Sequence, residues 1–156
     1  FAELVTAWSE IEIIRFGPVI QENRMERILF FPDRRGIGLR QIQQVLAEKD
    51  ETATTPERLA DKSVALQGLT TLEYLLYGTG AEDLAAGDEF RCDFAGSVAA
   101  RIYATAGEIV EAWDDPDARR YRALRQIRHV RTHQRTAHHR RDRAATARRG
   151  NRSRDL

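Results

Sequence analysis

All the material for a hydrophobic core lies before about residue 113, and this division constrains the fold more than any motif does. Residues 1–118 hold 11 Lys/Arg and 22 Asp/Glu, a net of −11. Residues 119–156 hold 14 Arg, no Lys and 2 Asp, a net of +12, together with all four histidines (His129, His133, His138, His139). After Tyr121 the only large apolar residues are Leu124, Ile127, Val130 and Leu156. So few apolar groups cannot offset the entropy of ordering a chain. The expected organisation is a helical domain over 1–117 and a disordered or irregular basic tail over 118–156.

Within the first part the apolar residues recur at helical spacing. The spacing predicts helices over 2–16 (Leu4, Val5, Trp8, Ile11), 37–49 (Leu39, Ile42, Val45, Leu46), 55–77 and 88–113 (Phe94, Val98, Ile102, Ile109, Trp113). Gly17-Pro18 closes the first, because proline cannot extend the hydrogen-bond ladder. A shorter helix around Met25, Ile28 and Leu29 ends at Phe30-Phe31-Pro32-Asp33. Thr54-Thr55-Pro56-Glu57 reads as a capped start for the third long helix, and Gly78 as the left-handed residue beyond its end. No strand pattern appears. Long amphipathic helices with short loops give an all-α, up-and-down bundle, with Trp8, Val45, Leu66, Leu69, Leu76, Val98 and Ile102 as core. No apolar run approaches the roughly 20 residues that span a bilayer. The single cysteine, Cys92, excludes an internal disulfide framework. The chain begins at Phe1 inside an apolar pattern, and we read it as a piece of a longer protein.

Polar residues on the apolar stripes mark candidate sites. If 55–77 is one helix, Glu73 lies within about 60° of Leu66, Leu69 and Leu76. On the first helix Glu12 and Arg15, three apart, share the face of Val5 and Trp8. A buried carboxylate needs a partner. Either Glu73 pairs with Arg15, with Glu12 alongside, or Glu73 and Glu12 line a polar pocket for a cation. Bundle interiors do hold metals between carboxylates of facing helices, and oxygen ligands suit hard cations or iron.

The segment Gly68-Leu69-Thr70-Thr71-Leu72-Glu73-Tyr74-Leu75-Leu76-Tyr77-Gly78 resembles the signature of the imelysin family, Gly-x-His-x-x-Glu followed by an apolar run and a glycine. "LVTAWSEIEIIRFGP" at 4–18, "FPDRRGIGLRQIQ" at 31–43 and "EFRCDF" at 89–94 are similar to imelysin-like sequences as well. The resemblance covers residues 1–113. It implies an all-helical protein of two related four-helix bundles in the bacterial cell envelope or periplasm. It also implies a link to iron uptake through envelope transport components, and metal ligation by the motif His and Glu. Carried over, Gly68 is the motif glycine and Glu73 the motif glutamate, but the histidine position holds Thr70.

The expected function is therefore metal or iron binding at the envelope, with a divalent metal or iron ion as cofactor and ligand. Glu73 and Glu12 are the ligand candidates, and Arg15, Thr70 and Gly68 support them. A metallopeptidase, which the family's name suggests, ranks below: there is no nucleophile–base pair and no His-Glu-x-x-His zinc motif. A helical domain using its basic tail on nucleic acid ranks lower still, because the tail lacks interleaved aromatics. Chelation by His129 and His133, four apart, is opposed by the surrounding arginines. The tail's Arg, His, Thr and Ala content is what a shifted reading frame of a GC-rich gene yields, so we expect it not to be native domain sequence.

Overall fold

The computed structural model describes residues 1–116. The expectations made for the tail lie outside the described residues. The chain divides into two units, Phe1–Trp113 and Asp114–Leu156. The first has helices and no strand among the described residues. Its helices are α1 (Ala2–Ile11), α2 (Arg24–Ile28), α3 (Ile37–Glu48), α4 (Pro56–Ala60), α5 (Leu69–Tyr77), α6 (Glu82–Ala85) and α7 (Glu89–Asp114). Three 3₁₀ segments, at Gly17–Asn23, Glu51–Ala53 and Val64–Leu66, join them. None of these helices is long and apolar enough to cross a membrane.

α7 follows the sequence pattern closely and α3 in part: Leu39, expected inward, is 45% exposed and Leu46 is only partly buried. Phe94, Val98, Ile102 and Ile109 of α7 are buried, as are Ile42 and Val45 of α3. The start of α3 is fixed from outside the helix: the Asp33 carboxylate accepts from the backbone N–H groups of Ile37 (2.8 Å) and Gly38 (2.9 Å). Burial alone would raise the Asp33 pKa, but backbone hydrogen bonds from Ile37, Gly38, Leu39 and Arg35 outweigh it and hold the carboxyl below its ordinary value. Downstream of α3, Asp50 accepts from Lys62 Nζ at 2.6 Å and from Thr52. Those bonds bring its pKa down to about 2 and tie the segment before α4 to the one after it.

The third predicted helix is not one helix. Residues 55–77 split into α4, a turn, the Val64–Leu66 segment and α5. Two side chains hold the break. Ser63 Oγ accepts from Ala65 N–H, and the buried Gln67 amide donates to the carbonyls of Ala60 (3.2 Å) and Lys62 (2.8 Å). The Ala60 carbonyl at the end of α4 is thereby satisfied by a side chain rather than by a further helical turn. Thr55 does occupy the N-cap of α4 with Pro56 at the next position, yet its hydroxyl makes no capping bond. Gly78 is extended (φ −80°, ψ −176°), not left-handed. It is needed for space, because a Cβ there would sit 2.6 Å from the Tyr74 carbonyl oxygen.

The break resets the register of α5. Its buried residues are Leu69, Thr71, Leu72 and Leu75, while Leu76 is only partly buried. Of the expected core, Trp8, Val45, Leu66, Leu69, Val98 and Ile102 are buried and Leu76 is the exception. α3 packs against α5 and against the Val64–Leu66 segment, which α2 also touches. α1 stops at Ile11, five residues early: β-branched Ile13 and Ile14 are poor helix formers, and Pro18 restricts the backbone just beyond. Only Trp8 of α1 is buried, and Ile13 is 83% exposed.

The register of α5 can be tested directly. Leu75→Ala should cost about 2–5 kcal/mol as a full core truncation, and Leu76→Ala roughly half of that or less. Chemical denaturation of both variants checks this, and the reverse order would overturn the facing described here.

Candidate functional site

The signature segment places its residues in two different environments. Gly68 is buried at the N-cap of α5. A Cβ at this position would lie 2.5 Å from the Ile28 carbonyl oxygen and 2.8 Å from that of Arg27, so the backbone of α2 leaves room for no side chain there. Thr70 is half-buried and Glu73 is exposed. At about 100° per residue, Glu73 points roughly 100° away from the centre of the Leu69–Leu72–Leu75 stripe. Thr70, Glu73 and the exposed Tyr77 form the outer face of α5, and the Phe1 ring packs edge-on to Tyr77 at 5.6 Å between centroids.

This corrects the expectation that Glu73 is buried against the first helix. The expectation took its angle from Leu66, Leu69 and Leu76, but the break removes Leu66 from the helix and Leu76 is only partly buried. Glu73 forms no hydrogen bond or ion pair among the described residues, so it meets neither Arg15 nor Glu12. Arg15 pairs instead with Glu12 at 3.5 Å, both side chains well exposed (68% and 40%) beyond the end of α1. Such a pair contributes little. Thr70 and Glu73 therefore share the outer face of α5, Gly68 lies buried at its N-cap, and Glu12 and Arg15 are not part of that group. Among the described residues no three His, Cys, Asp or Glu side chains are grouped to hold a metal ion.

α5 is gripped at its far end by Arg91 of α7. This arginine is buried, and its Nε donates to the Leu75 carbonyl (2.9 Å) while Nη2 donates to those of Tyr74 (3.1 Å) and Thr79 (3.2 Å). The cation thus lies at the negative end of the helix dipole, on the Leu75 carbonyl, on the Tyr74 carbonyl that the Gly78 N–H also reaches, and on the Thr79 carbonyl just beyond the helix.

A second polar centre joins α2 to α7, and sequence reasoning missed it. Glu108 of α7 accepts from Arg24 Nε (3.2 Å), from Arg27 Nη1 (3.2 Å) and from Arg27 Nη2. Arg24 is buried and also donates to the Pro18 carbonyl (3.2 Å) and to Glu22 (2.9 Å). Hydrogen bonds from Arg27 lower the Glu108 pKa, and those from Arg24 add to this against the opposing effect of burial. The available signal was an arginine pair three apart, Arg24 and Arg27, flanking the apolar Met25 and Ile28. Its partner lies 81 residues away from Arg27, beyond the reach of pattern reading.

The family model for imelysin matches residues 1–147. The chain belongs to the imelysin family. The matched range extends past Asp117 into the arginine-rich segment. No curated protein and no solved structure matches the chain. Within this imelysin the signature's glycine and glutamate are separated by function: Gly68 seats α5 on α2, whereas Thr70 and Glu73 face outward.

Two variants test these roles. Gly68→Ala should destabilise the protein by at least about 1–3 kcal/mol, because the new methyl meets backbone rather than a movable side chain; an unchanged melting temperature would contradict the close approach. Glu108→Gln should cost about 1–3 kcal/mol near neutral pH, since it strips two enclosed guanidinium groups of their counter-charge. Because the folded Glu108 pKa is lowered, its contribution is complete above the ordinary carboxylate value and fades as pH falls through the lowered one. The stability gap between wild type and Glu108→Gln should therefore narrow on acidification, measured by denaturation from about pH 6 to about pH 3.

Proposed function

We propose that this imelysin acts by binding, as a cell-envelope domain serving metal acquisition and iron in particular, with the outer face of α5 as its contact surface. The observation that carries the reading is the free carboxylate of Glu73. It stands at the signature position, exposed and without a partner among the described residues, on a helix anchored by Gly68 at one end and Arg91 at the other. A rigid element presenting an unengaged carboxylate suits capture of a cation.

The described residues do not amount to a self-contained metal centre. Glu73 offers one carboxylate and Thr70 one hydroxyl, whereas structural and catalytic zinc sites use three or four strong ligands. Residues 1–116 contain no histidine at all. We therefore assign Glu73 as a single oxygen donor, the remaining positions on the cation being filled by water or by groups that arrive with it. No observation favours the peptidase reading, which requires a full ligand set and an activated water.

Thr70 and Glu73 are three apart on one face, so an imidazole at 70 would reach the same ion as the carboxylate at 73. Titration with Fe(II), Mn(II) and Zn(II), read by calorimetry and by melting temperature, should show weak binding to the wild type. Thr70→His should bind more tightly, by about tenfold or more, and Glu73→Gln should lose the response. A metal-induced shift of equal size in Glu73→Gln, or none in Thr70→His, would refute the assignment.

A further inference from the structure

A cleft of about 250 Å³ lies between the last turns of α3 and the Lys62–Leu66 stretch, and none of its lining residues belongs to α5. Val45 and Leu66, both core residues, give it an apolar floor, and Gln44 and Glu48 line its α3 side. Asp50 and Lys62 line it as well, and their ion pair of 2.6 Å joins the chain after α3 to the chain after α4. Thr52 holds the same Asp50 carboxylate through its backbone N–H and its hydroxyl. The walls are thus fixed by bonds within the protein, and a ligand would not have to order them.

The charges around the cleft leave a negative surplus. Lys62 and Asp50 neutralise each other. Glu48 is exposed and forms no ion pair among the described residues; its one side-chain partner is the neutral amide of Gln44, at 2.9 Å. Lys49, next along the chain, is engaged by Asp88 at 3.7 Å. The last turn of α3 carries no basic residue, so the negative end of its dipole adds to the Glu48 charge. Residues 1–118 hold a net of −11, and that field draws cations towards the domain.

A bare metal ion is poorly served here. The lining has no His or Cys, and its second carboxylate, Asp50, is already taken by Lys62 and Thr52. Hard divalent ions need about six oxygens. At water's share of about 30 Å³ each, the cleft has room for about eight non-hydrogen atoms. A cation with a short hydrocarbon chain uses both the Glu48 charge and the apolar floor.

We propose that this cleft binds a primary alkylammonium group, with Glu48 as its counter-ion and its hydrocarbon chain against Val45 and Leu66. A free aliphatic amine and the side chain of a peptide lysine share this chemistry.

The test is a titration of the 156-residue chain, followed by the backbone amide resonances of residues 44–50 and 62–66, at constant ionic strength. The probes are n-pentylamine hydrochloride and N-acetyl-lysine methylamide. Saturable shifts at those residues are expected with at least one of them, and the tighter probe distinguishes a free amine from a lysine side chain. Methylamine should bind at least about tenfold more weakly than pentylamine, since each buried methylene adds a factor of about three to four. Glu48→Gln should weaken binding at least about threefold, the loss for an ion pair at an exposed carboxylate, and should leave the melting temperature unchanged. No saturable shift with either probe, equal affinity in Glu48→Gln, or pentanol binding as tightly as pentylamine would overturn the proposal.

Discussion

The architecture of this imelysin turns on one residue of a five-residue helix. The Arg27 carbonyl, with that of Ile28, lies against Gly68 so closely that only glycine fits, while the Arg27 side chain holds Glu108. Backbone packing thus ties α2 to the start of α5, and charge ties α2 to α7. A helix of five residues is not stable alone, since nucleation costs more than so few hydrogen bonds return. α2 persists because its two ends of business, main chain and side chain, are each claimed by a longer element. Arg91 completes the circuit by binding the end of α5 to α7.

The two enclosed arginine arrangements solve the cost of burying charge in different ways. Arg24 and Arg27 share a carboxylate, and the pair is sound only while Glu108 is ionised. Arg91 makes no ion pair among the described residues. It relies on three carbonyls and on the dipole of the helix those carbonyls terminate. Carbonyls do not titrate, so this second anchor is insensitive to pH whereas the first weakens in acid. The end of α5 nearest Glu73 and Tyr77 is consequently held by the interaction that persists when carboxylates protonate.

What the sequence disclosed depended on whether a helix ran uninterrupted. α3 and α7 do, and their apolar stripes predicted most of their buried faces, with Leu39 of α3 the exception. The 55–77 segment carries the same periodicity, but Gln67 and Ser63 divert its backbone groups to side-chain partners, and no periodicity count registers that. An angle measured from Leu66 across the break then placed Glu73 inside, when Leu72 and Leu75 define the true interior. Glu12 and Arg15 were misplaced for the same reason, lying past the end of α1 at Ile11. The Arg24–Arg27–Glu108 centre was illegible for another reason: three charged residues gain meaning only when the fold joins positions more than 80 apart in the chain.

The signature motif combines two requirements that a sequence pattern presents as one. Gly68 answers a steric demand set by the carbonyls of α2, and any side chain there would displace α5. Thr70 and Glu73 answer no such demand, being half-buried and exposed. Threonine at 70, where the family signature has histidine, is therefore compatible with the fold. Threonine is tolerated in the first turn of α5 because its neighbours Leu69, Thr71 and Leu72 supply the packing, and the Thr71 hydroxyl finds its acceptor in the Ala65 carbonyl at 2.9 Å. The fold thus leaves position 70 free to vary, in contrast to Gly68. A chain with this motif can keep the architecture of the family and differ from its relatives in the chemistry it presents.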